Sequence, residues 1–260
     1  MRFATEAYTK KKLKKKYVHL TNFSVNKKSS KFVTAQVDGE GSKWSLRALE
    51  SAFKELGIDY DSVMLDIEDV IIKALIAVEP HVINGLNQAN RANDLCFEIY
   101  GFDILLDSSL KPWLLEVNVC PSLSSSSPID KRIKTSLMCD VLHLIGVTPV
   151  DRKLEDERIE NEKISRLFSG EKTSKFGHRN LAALQSCHIE DYELTEEDLN
   201  MLIDYEEEGQ RLGEFKRIFP TVDNSDAYAE FFEMNRYNNF LLWKHIDSER
   251  NVLLKYTQFN

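Results

Sequence analysis

The chain has 260 residues, 42% hydrophobic and 29% charged, enough for one large domain or two small ones with a hydrophobic core. Its apolar runs are far shorter than the roughly 18–20 residues of a membrane span, and its N-terminus lacks the apolar segment of a secretory signal. Four cysteines stand singly at 96, 120, 139 and 187, a spacing that disfavours a zinc motif or a disulfide framework and fits a reducing compartment.

The net charge of −8 is unevenly distributed along the chain. Residues 1–34 carry ten Lys or Arg against one acid, whereas residues 151–260 carry 15 basic and 24 acidic residues. A dense basic stretch in an acidic protein indicates a local anion-binding surface, and a solvated lysine loop is the alternative. No motif supports nucleic-acid binding.

The first quarter of the chain is predicted to contain strands and loops before one helix. Residues 1–8 are predicted to end a strand, and residues 17–25 have the β-branched and aromatic content of a second strand. The polar stretch 28–42 is predicted to be a loop. Residues 45–56 repeat apolar side chains at helical spacing and end at Gly57, a residue suited to a helix C-terminus.

The middle of the chain is predicted to form two helices around a β-hairpin. Residues 60–79 carry an apolar stripe at helical spacing, and Pro80 is predicted to end that helix. Residues 129–145 show a similar spacing. Between the helices, the apolar runs 96–106 and 112–119 are joined by a short polar turn, which is typical of a hairpin, and a serine-rich loop follows.

The character of the sequence changes after residue 149. Residues 151–168 are highly charged and are predicted to be an exposed helix or linker. Thr195 and Asp198 have the spacing of a capping box, which predicts a helix over 195–210. An aromatic-rich segment follows at 228–246. These features predict a first domain over residues 1–149 and a charged, mostly helical extension over residues 150–260.

The predicted hairpin brings polar side chains to one face of an apolar sheet. If residues 108–111 form the loop, Asp103 lies directly opposite Glu116. Asn118 then shares the face of Glu116, and its cross-strand neighbour is Gly101, which has no side chain to fill the space. The neighbouring strand residues are apolar, so the sheet is predicted to be covered.

Two opposed carboxylates repel each other, and burying them costs several kcal/mol unless a cation neutralises them. Two carboxylates and one amide form an all-oxygen donor set, which Mg²⁺ prefers. The pattern therefore favours a magnesium site at Asp103, Glu116 and Asn118. The alternative interpretation pairs each carboxylate with a lysine or arginine.

Four motifs are spread over roughly residues 1–150, namely Arg2-Phe-Ala-Thr5, His19-Leu-Thr-Asn22 with Asn26-Lys27, Phe97-Glu-Ile-Tyr-Gly-Phe-Asp103, and Leu110-Lys-Pro-Trp-Leu-Leu-Glu-Val-Asn118 with Pro121-Ser-Leu123. Together these motifs resemble the tubulin tyrosine ligase-like family. Residues 213–220 resemble, more weakly, the C-terminal extension of the glutamylase branch of that family.

The resemblance implies an α+β fold, namely the C-terminal part of an ATP-grasp fold with an antiparallel sheet and packed helices. It implies a ligase that uses ATP and Mg²⁺ to add glutamate to glutamate side chains of tubulin tails through an acylphosphate. The alternatives are a glycine or tyrosine ligase of the same family and a non-catalytic microtubule-binding module.

The resemblance also implies roles for individual residues. Asp103, Glu116 and Asn118 would be the Mg²⁺ ligands, with Glu116 also catalytic. Arg2, the second catalytic residue, would hold the carboxylate of the incoming amino acid by bidentate pairing. The other implied residues are Thr21 and Asn22 beside the nucleotide, and Lys10, Lys11, Lys12, Lys14, Lys15 and Lys16 against the acidic tubulin tail.

The implied partners are tubulin or microtubules and free glutamate, with neither nucleic acid nor membrane. The implied location of this monomer is the cytoplasm and cytoskeleton, including the cilium or basal body. In the family, an N-terminal lobe with nucleotide-clamping lysines precedes the segment that matches Arg2. We therefore expect the chain to lack that lobe and to be inactive by itself.

Overall fold

The computed structural model describes residues 1–33, 37–89, 96–125, 127–146, 179–224 and 226–248, together with residues 153, 157 and 253. In these ranges the fold is α+β, with one two-stranded antiparallel sheet among helices. The chain forms two compact units, Met1–Val70 with Glu98–Ser136 and Ile71–Phe97 with Leu137–Asn260. No helix of the described part is long and apolar enough to cross a membrane.

The first unit begins with a short antiparallel pairing in place of a strand. Arg2 pairs with Lys43, and the backbone N–H of Phe3 donates to the carbonyl of Ser42 at 2.9 Å. The predicted strand over 17–25 is wrong, because two single-turn helices form there. They are α1 (Lys16–His19) and α2 (Phe23–Asn26).

A buried asparagine explains why this segment turns. The side chain of Asn26 is 1% exposed. Its Nδ2 donates to the carbonyls of Leu20 at 2.6 Å and Asn22 at 3.1 Å. Its Oδ1 accepts from the backbone N–H of Thr5 at 3.1 Å and from the Thr5 hydroxyl at 3.0 Å. These four hydrogen bonds, two of them to Thr5 21 residues away, override the strand propensity of the β-branched and aromatic residues around Asn26.

The predicted helix over 45–56 is confirmed as α3 (Leu46–Glu55). The side chain of Ser45 accepts from the N–H of Ala48 and caps its N-terminus. Gly57 follows with a φ of +69°, a left-handed conformation that glycine adopts without steric cost.

The next helix is longer than predicted. Helix α4 (Tyr60–Ala89) contains Pro80, so the prediction that this proline ends the helix is wrong. Proline removes one backbone donor, which can kink a helix without ending it. Beside the proline, Glu79 accepts two hydrogen bonds from Arg236, at 2.9 and 3.1 Å.

The predicted hairpin is confirmed as β1 (Tyr100–Leu106) and β2 (Pro112–Val119), with the first strand starting later than expected. It is held against the helices at its turn end. Leu106 and Leu110 pack against a small core of Leu49, Phe53 and Val63 from α3 and α4. Helix α5 (Pro128–Leu144) follows the serine-rich loop, close to the predicted 129–145.

The second unit contains a separate helical core. Its helices include α6 (Leu181–Ser186), α7 (Glu196–Gln210) and α8 (Tyr237–Asp247). The predicted capping box is confirmed, since Thr195 and Asp198 exchange hydrogen bonds at the start of α7. Single 3₁₀ turns occur at Lys10–Lys12, Ile189–Asp191 and Ala229–Phe231. The charged segment 151–168 lies outside the described residues, apart from 153 and 157.

Candidate functional site

The hairpin brings the three predicted metal ligands together on one face. Asp103 lies directly opposite Glu116, and Gly101 lies directly opposite Asn118. Because alternate strand residues point to the same side, the two carboxylates and the amide share that side of the sheet. This part of the predicted register is confirmed.

The register nearer the turn differs from the prediction. Leu106 pairs with Pro112 and Ile104 pairs with Leu114, so the register shifts between Asp103 and Ile104 and leaves Leu115 without a cross-strand partner. The expected loop of residues 108–111 is therefore too short, and residues 107–111 connect the strands. A β-bulge at Leu115 absorbs the difference and keeps the carboxylates opposed.

The carboxylate of Asp107 organises this turn. Its Oδ1 accepts from the backbone N–H of Ser109 at 2.8 Å and from the Ser109 hydroxyl at 2.6 Å. Its Oδ2 accepts from the indole N–H of Trp113 at 2.9 Å. The hydrogen bonds from Ser109 and Trp113 stabilise the ionised carboxylate and lower the pKa of Asp107 to about 2.

The amide of Asn118 directs its nitrogen toward Glu116 and Gly101. Its Nδ2 donates to Glu116 Oε1 at 3.2 Å and, at the longer distance of 3.4 Å, to the carbonyl of Gly101. The amide carbonyl oxygen makes no hydrogen bond with the described residues. It is therefore the atom that remains for a metal ion.

The hairpin is more exposed than the sequence predicted. Glu116 is exposed, Asp103 and Asn118 are half-buried, and the nearby Leu115 and Val119 are each 63% exposed. The expectation of a covered sheet is wrong for the described part of the chain, because no further strand or helix lies over this end of the hairpin. Because neither carboxylate is fully buried, the cost of burying their charge gives little support for a metal ion.

The repulsion between the two opposed carboxylates still favours a bound cation. Among the described residues, neither Asp103 nor Glu116 forms an ion pair with a lysine or arginine. No group of three or more His, Cys, Asp or Glu in that part of the chain could hold a metal, so Asn118 is needed as the third ligand. Two carboxylates and an amide oxygen fit Mg²⁺, which also takes water and substrate phosphates.

The space beside Gly101 is filled from the loop that follows β2. A Cβ atom placed on Gly101 would lie 3.0 Å from the Cβ of Pro121 and 3.6 Å from the Cβ of Asn118. Cys120 precedes this proline with a φ of +56°, a left-handed conformation that turns the chain back toward the sheet. The sequence identified Pro121 only as part of a motif and gave no sign of this contact.

The other predicted site residues are not joined to the carboxylates. Arg2, Thr21 and Asn22 lie in the same compact unit and are exposed. No hydrogen bond or ion pair within the described ranges connects them with Asp103, Glu116 or Asn118. Their roles toward nucleotide and amino acid stay predictions.

The lysine run lies on the surface of the same unit. Lys10–Lys12 form a 3₁₀ turn capped by Thr9, and all six lysines are exposed. Lys15 makes a loose ion pair with Glu6 at 3.6 Å, which contributes little at an exposed position. The six ammonium groups are therefore accessible to solvent, which fits both an anion-binding surface and a solvated lysine loop, and the binding role stays a prediction.

Lys134 is a residue near the site that the sequence analysis missed. Its ammonium group contacts the loop after β2, whereas Lys131 and Arg132 on the same helix do not. Lys131, Arg132 and Lys134 lie within four positions of α5, and the sequence alone does not show which of them contacts the loop. Only the direction of each side chain distinguishes Lys134.

Comparison with known proteins gives a family match over more than half of the chain. The sequence profile of the tubulin-tyrosine ligase family matches residues 1–155. The human tubulin monoglutamylase TTLL4 is 35% identical over 93% of the chain, and the tubulin polyglutamylase ttll-4 of Caenorhabditis elegans is 36% identical over 93%. The mouse tubulin polyglutamylase TTLL6 is 38% identical over 90%.

The chain spans only part of these relatives. It covers 22% of the length of the human protein, 41% of the nematode protein and 27% of the mouse protein. The similarity therefore extends over nearly the whole chain and over less than half of each relative.

Proposed function

The chain belongs to the tubulin-tyrosine ligase family, and we propose that it carries the metal- and nucleotide-binding residues of an ATP- and Mg²⁺-dependent ligase. We further propose that its first 149 residues are the C-terminal part of an ATP-grasp fold and that residues 150–260 are an extension to it. The relatives are named as glutamylases of tubulin, which supports glutamate as the added amino acid and tubulin as the acceptor.

One observation carries this proposal. Asp103 and Glu116 face each other across the hairpin, with Asn118 on the same side and without a neutralising lysine or arginine in the described part of the chain. Opposed carboxylates are unfavourable in a structural sheet, and a bound divalent cation removes that cost. A Mg²⁺ ion held there would spread the charge of a phosphoryl group during its transfer from ATP.

The proposed reaction has two displacement steps. A side-chain carboxylate of the tubulin tail attacks the γ-phosphorus of ATP, which releases ADP and leaves an acylphosphate. The α-amine of free glutamate then attacks the acyl carbon and loses a proton, and phosphate leaves as the isopeptide bond forms. Each step requires that the reacting groups be held in line and close together.

The residues of this chain would supply that positioning. The guanidinium of Arg2 matches the planar geometry of a carboxylate and would orient the incoming glutamate. Thr21 and Asn22 would lie beside the nucleotide. The six exposed lysines of residues 10–16 would attract the acidic tail, and the location would be the cytoplasm and cytoskeleton, including the cilium or basal body.

The test is a charge-removing substitution in the full-length protein. We expect Glu116→Gln to lower incorporation of labelled glutamate into microtubules by about 10²–10³-fold, because a preorganised charge at the phosphoryl group is removed. The control, Glu55→Gln, removes an exposed carboxylate of α3 in the same unit and should leave the rate unchanged. Normal activity of Glu116→Gln would remove this residue from the metal site.

Parallel assays with labelled glycine and tyrosine distinguish the donors. Incorporation of glycine or tyrosine in place of glutamate would contradict the proposed donor while retaining the ligase. A wild-type protein that binds microtubules but incorporates none of the three amino acids would contradict the ligase and support a binding module.

A further inference from the structure

We propose that Lys134 is a positioning residue for the metal site and acts through the loop of residues 121–125. This inference rests on the metal site assigned in the proposed function. It concerns how the chain holds Asn118 in place and adds no ligand to the three described above.

Lys134 holds the loop at two points. Its ammonium group donates to the backbone carbonyl of Ser122 at 2.8 Å and to that of Ser124 at 2.5 Å. The hydroxyls of the two serines are also hydrogen-bonded to each other at 2.8 Å. Bonds from a charged donor are stronger than those between neutral groups, and Lys134 is half-buried on α5. The loop is therefore fastened to the helix.

The other end of the loop lies against the metal site. The left-handed turn at Cys120 directs Pro121 onto Gly101, and no room for a side chain remains between them. Gly101 is the cross-strand neighbour of Asn118, and its carbonyl lies near the amide nitrogen of Asn118. Pro121 thus covers the end of the hairpin where this ligand lies.

These contacts connect the ammonium group with the amide. If the loop is released from Lys134, Pro121 is free to leave Gly101. The backbone around Asn118 then loses a contact that fixes where its amide lies beside Glu116. Groups that orient a metal ligand without touching the metal commonly change metal affinity about 10–100-fold when removed.

The helix itself has a separate attachment. Asp130 of α5 forms an ion pair with Lys43 at 2.6 Å, and both side chains are mostly buried. Removal of the Lys134 ammonium should therefore leave α5 in place and release only the loop. This separation makes the inference testable without loss of the fold.

The test measures metal affinity directly. Mn²⁺, which also prefers oxygen ligands, is titrated into the full-length protein while electron paramagnetic resonance reports the free ion. We expect Lys134→Met to weaken Mn²⁺ binding about tenfold and Lys134→Arg to restore part of the loss. Lys131→Met is the matched control, one helical turn earlier and exposed, with no side-chain hydrogen bond or ion pair in the described part of the chain.

A second variant disturbs the same contact from the other side. Gly101→Ala leaves Lys134 intact but places a methyl group 3.0 Å from Pro121, so it should also weaken Mn²⁺ binding. Amide hydrogen exchange of residues 122–125 provides a readout independent of metal, and it should speed up in Lys134→Met and not in Lys131→Met.

Wild-type Mn²⁺ affinity in Lys134→Met would overturn the inference. Faster loop exchange or a lower melting temperature in a variant with that unchanged affinity would indicate a structural role alone. A wild-type protein that binds no Mn²⁺ would contradict the metal site of the proposed function and, with it, the coupling to Lys134.

Discussion

At the scale of single residues, the buried side chain of Asn26 joins two segments of the first unit. It is 1% exposed and makes four hydrogen bonds, and these connect the segment near Arg2 with the turn that contains Thr21 and Asn22. A buried amide that loses its partners is costly, so this position should tolerate little change.

We expect Asn26→Ala to lower the free energy of unfolding by about 1–3 kcal/mol, because Thr5 and the two carbonyls lose their partners. Chemical denaturation measures the change. Ser24→Ala, at an exposed position of the same helical turn, should alter stability little. If both substitutions lowered the free energy of unfolding equally, the hydrogen bonds of Asn26 would contribute no more to stability than an exposed side chain.

The contrast between Thr195 and Asn26 shows what sequence reveals about single residues. The capping box of Thr195 and Asp198 was predictable because both partners lie within one helical turn. The partners of Asn26 include Thr5, which lies 21 residues away. Nothing in the local pattern identifies that contact, so the same segment was wrongly predicted to be a strand.

At the scale of elements, the turn of the hairpin depends on the ionised form of Asp107. The folded chain lowers the pKa of this carboxyl to about 2 from an ordinary value of 3.8, through hydrogen bonds from Ser109 and Trp113. A lowered pKa stabilises the fold at pH values above the ordinary one. That contribution disappears as the pH falls from about 4 toward 2.

We therefore expect the denaturation midpoint of the wild type to fall between about pH 5 and pH 2 by more than that of Asp107→Asn. The variant has no carboxyl to titrate at this position, so its own loss reflects other groups. Ser109→Ala, which retains the carboxyl and removes one donor, should give an intermediate dependence. If the denaturation midpoints of wild type and Asp107→Asn fell equally with pH, the ionised carboxylate of Asp107 would not stabilise the turn.

The hairpin also shows why elements are partly predictable. Alternation placed Glu116 and Asn118 on one side, because a period of two follows from strand geometry. The opposition of Asp103 and Glu116 depended instead on an assumed loop of residues 108–111, which is too short, and the bulge at Leu115 restores the pairing. The bulge at Leu115 could not be predicted from the pattern of apolar residues in β2. The exposure of the hairpin was likewise unpredictable, since apolar strand residues do not reveal whether other elements lie over them.

At the scale of the whole molecule, short sequence motifs identified the family. The division into two compact units follows instead from contacts between residues far apart in sequence. The two compact units each combine residues from before and after the hairpin. The predicted boundary between residues 149 and 150 stays a prediction, because residues 147–152 lie outside the described part of the chain.

The lysine run gives a prediction at this scale. Under the proposed binding of acidic tubulin tails by charge, replacing Lys10, Lys11 and Lys12 by serine should weaken co-sedimentation with microtubules about tenfold at low salt. The difference should shrink as ionic strength rises toward about 0.3 M. Replacing the scattered exposed lysines Lys28, Lys54 and Lys131 removes the same charge and is the matched control. Equal weakening by both triple variants would contradict a specific tail-binding surface.

The bulge at Leu115 has a consequence for tracing the evolution of the site. Because one residue of β2 is left unpaired, the opposed carboxylates do not require a fixed number of residues between them. A homologue that has lost this residue could pair its strands without interruption and still present both acids and the amide on one side. Searches that demand constant spacing from Asp103 to Glu116 would overlook such a homologue, whereas a comparison of strand pairings would recover it.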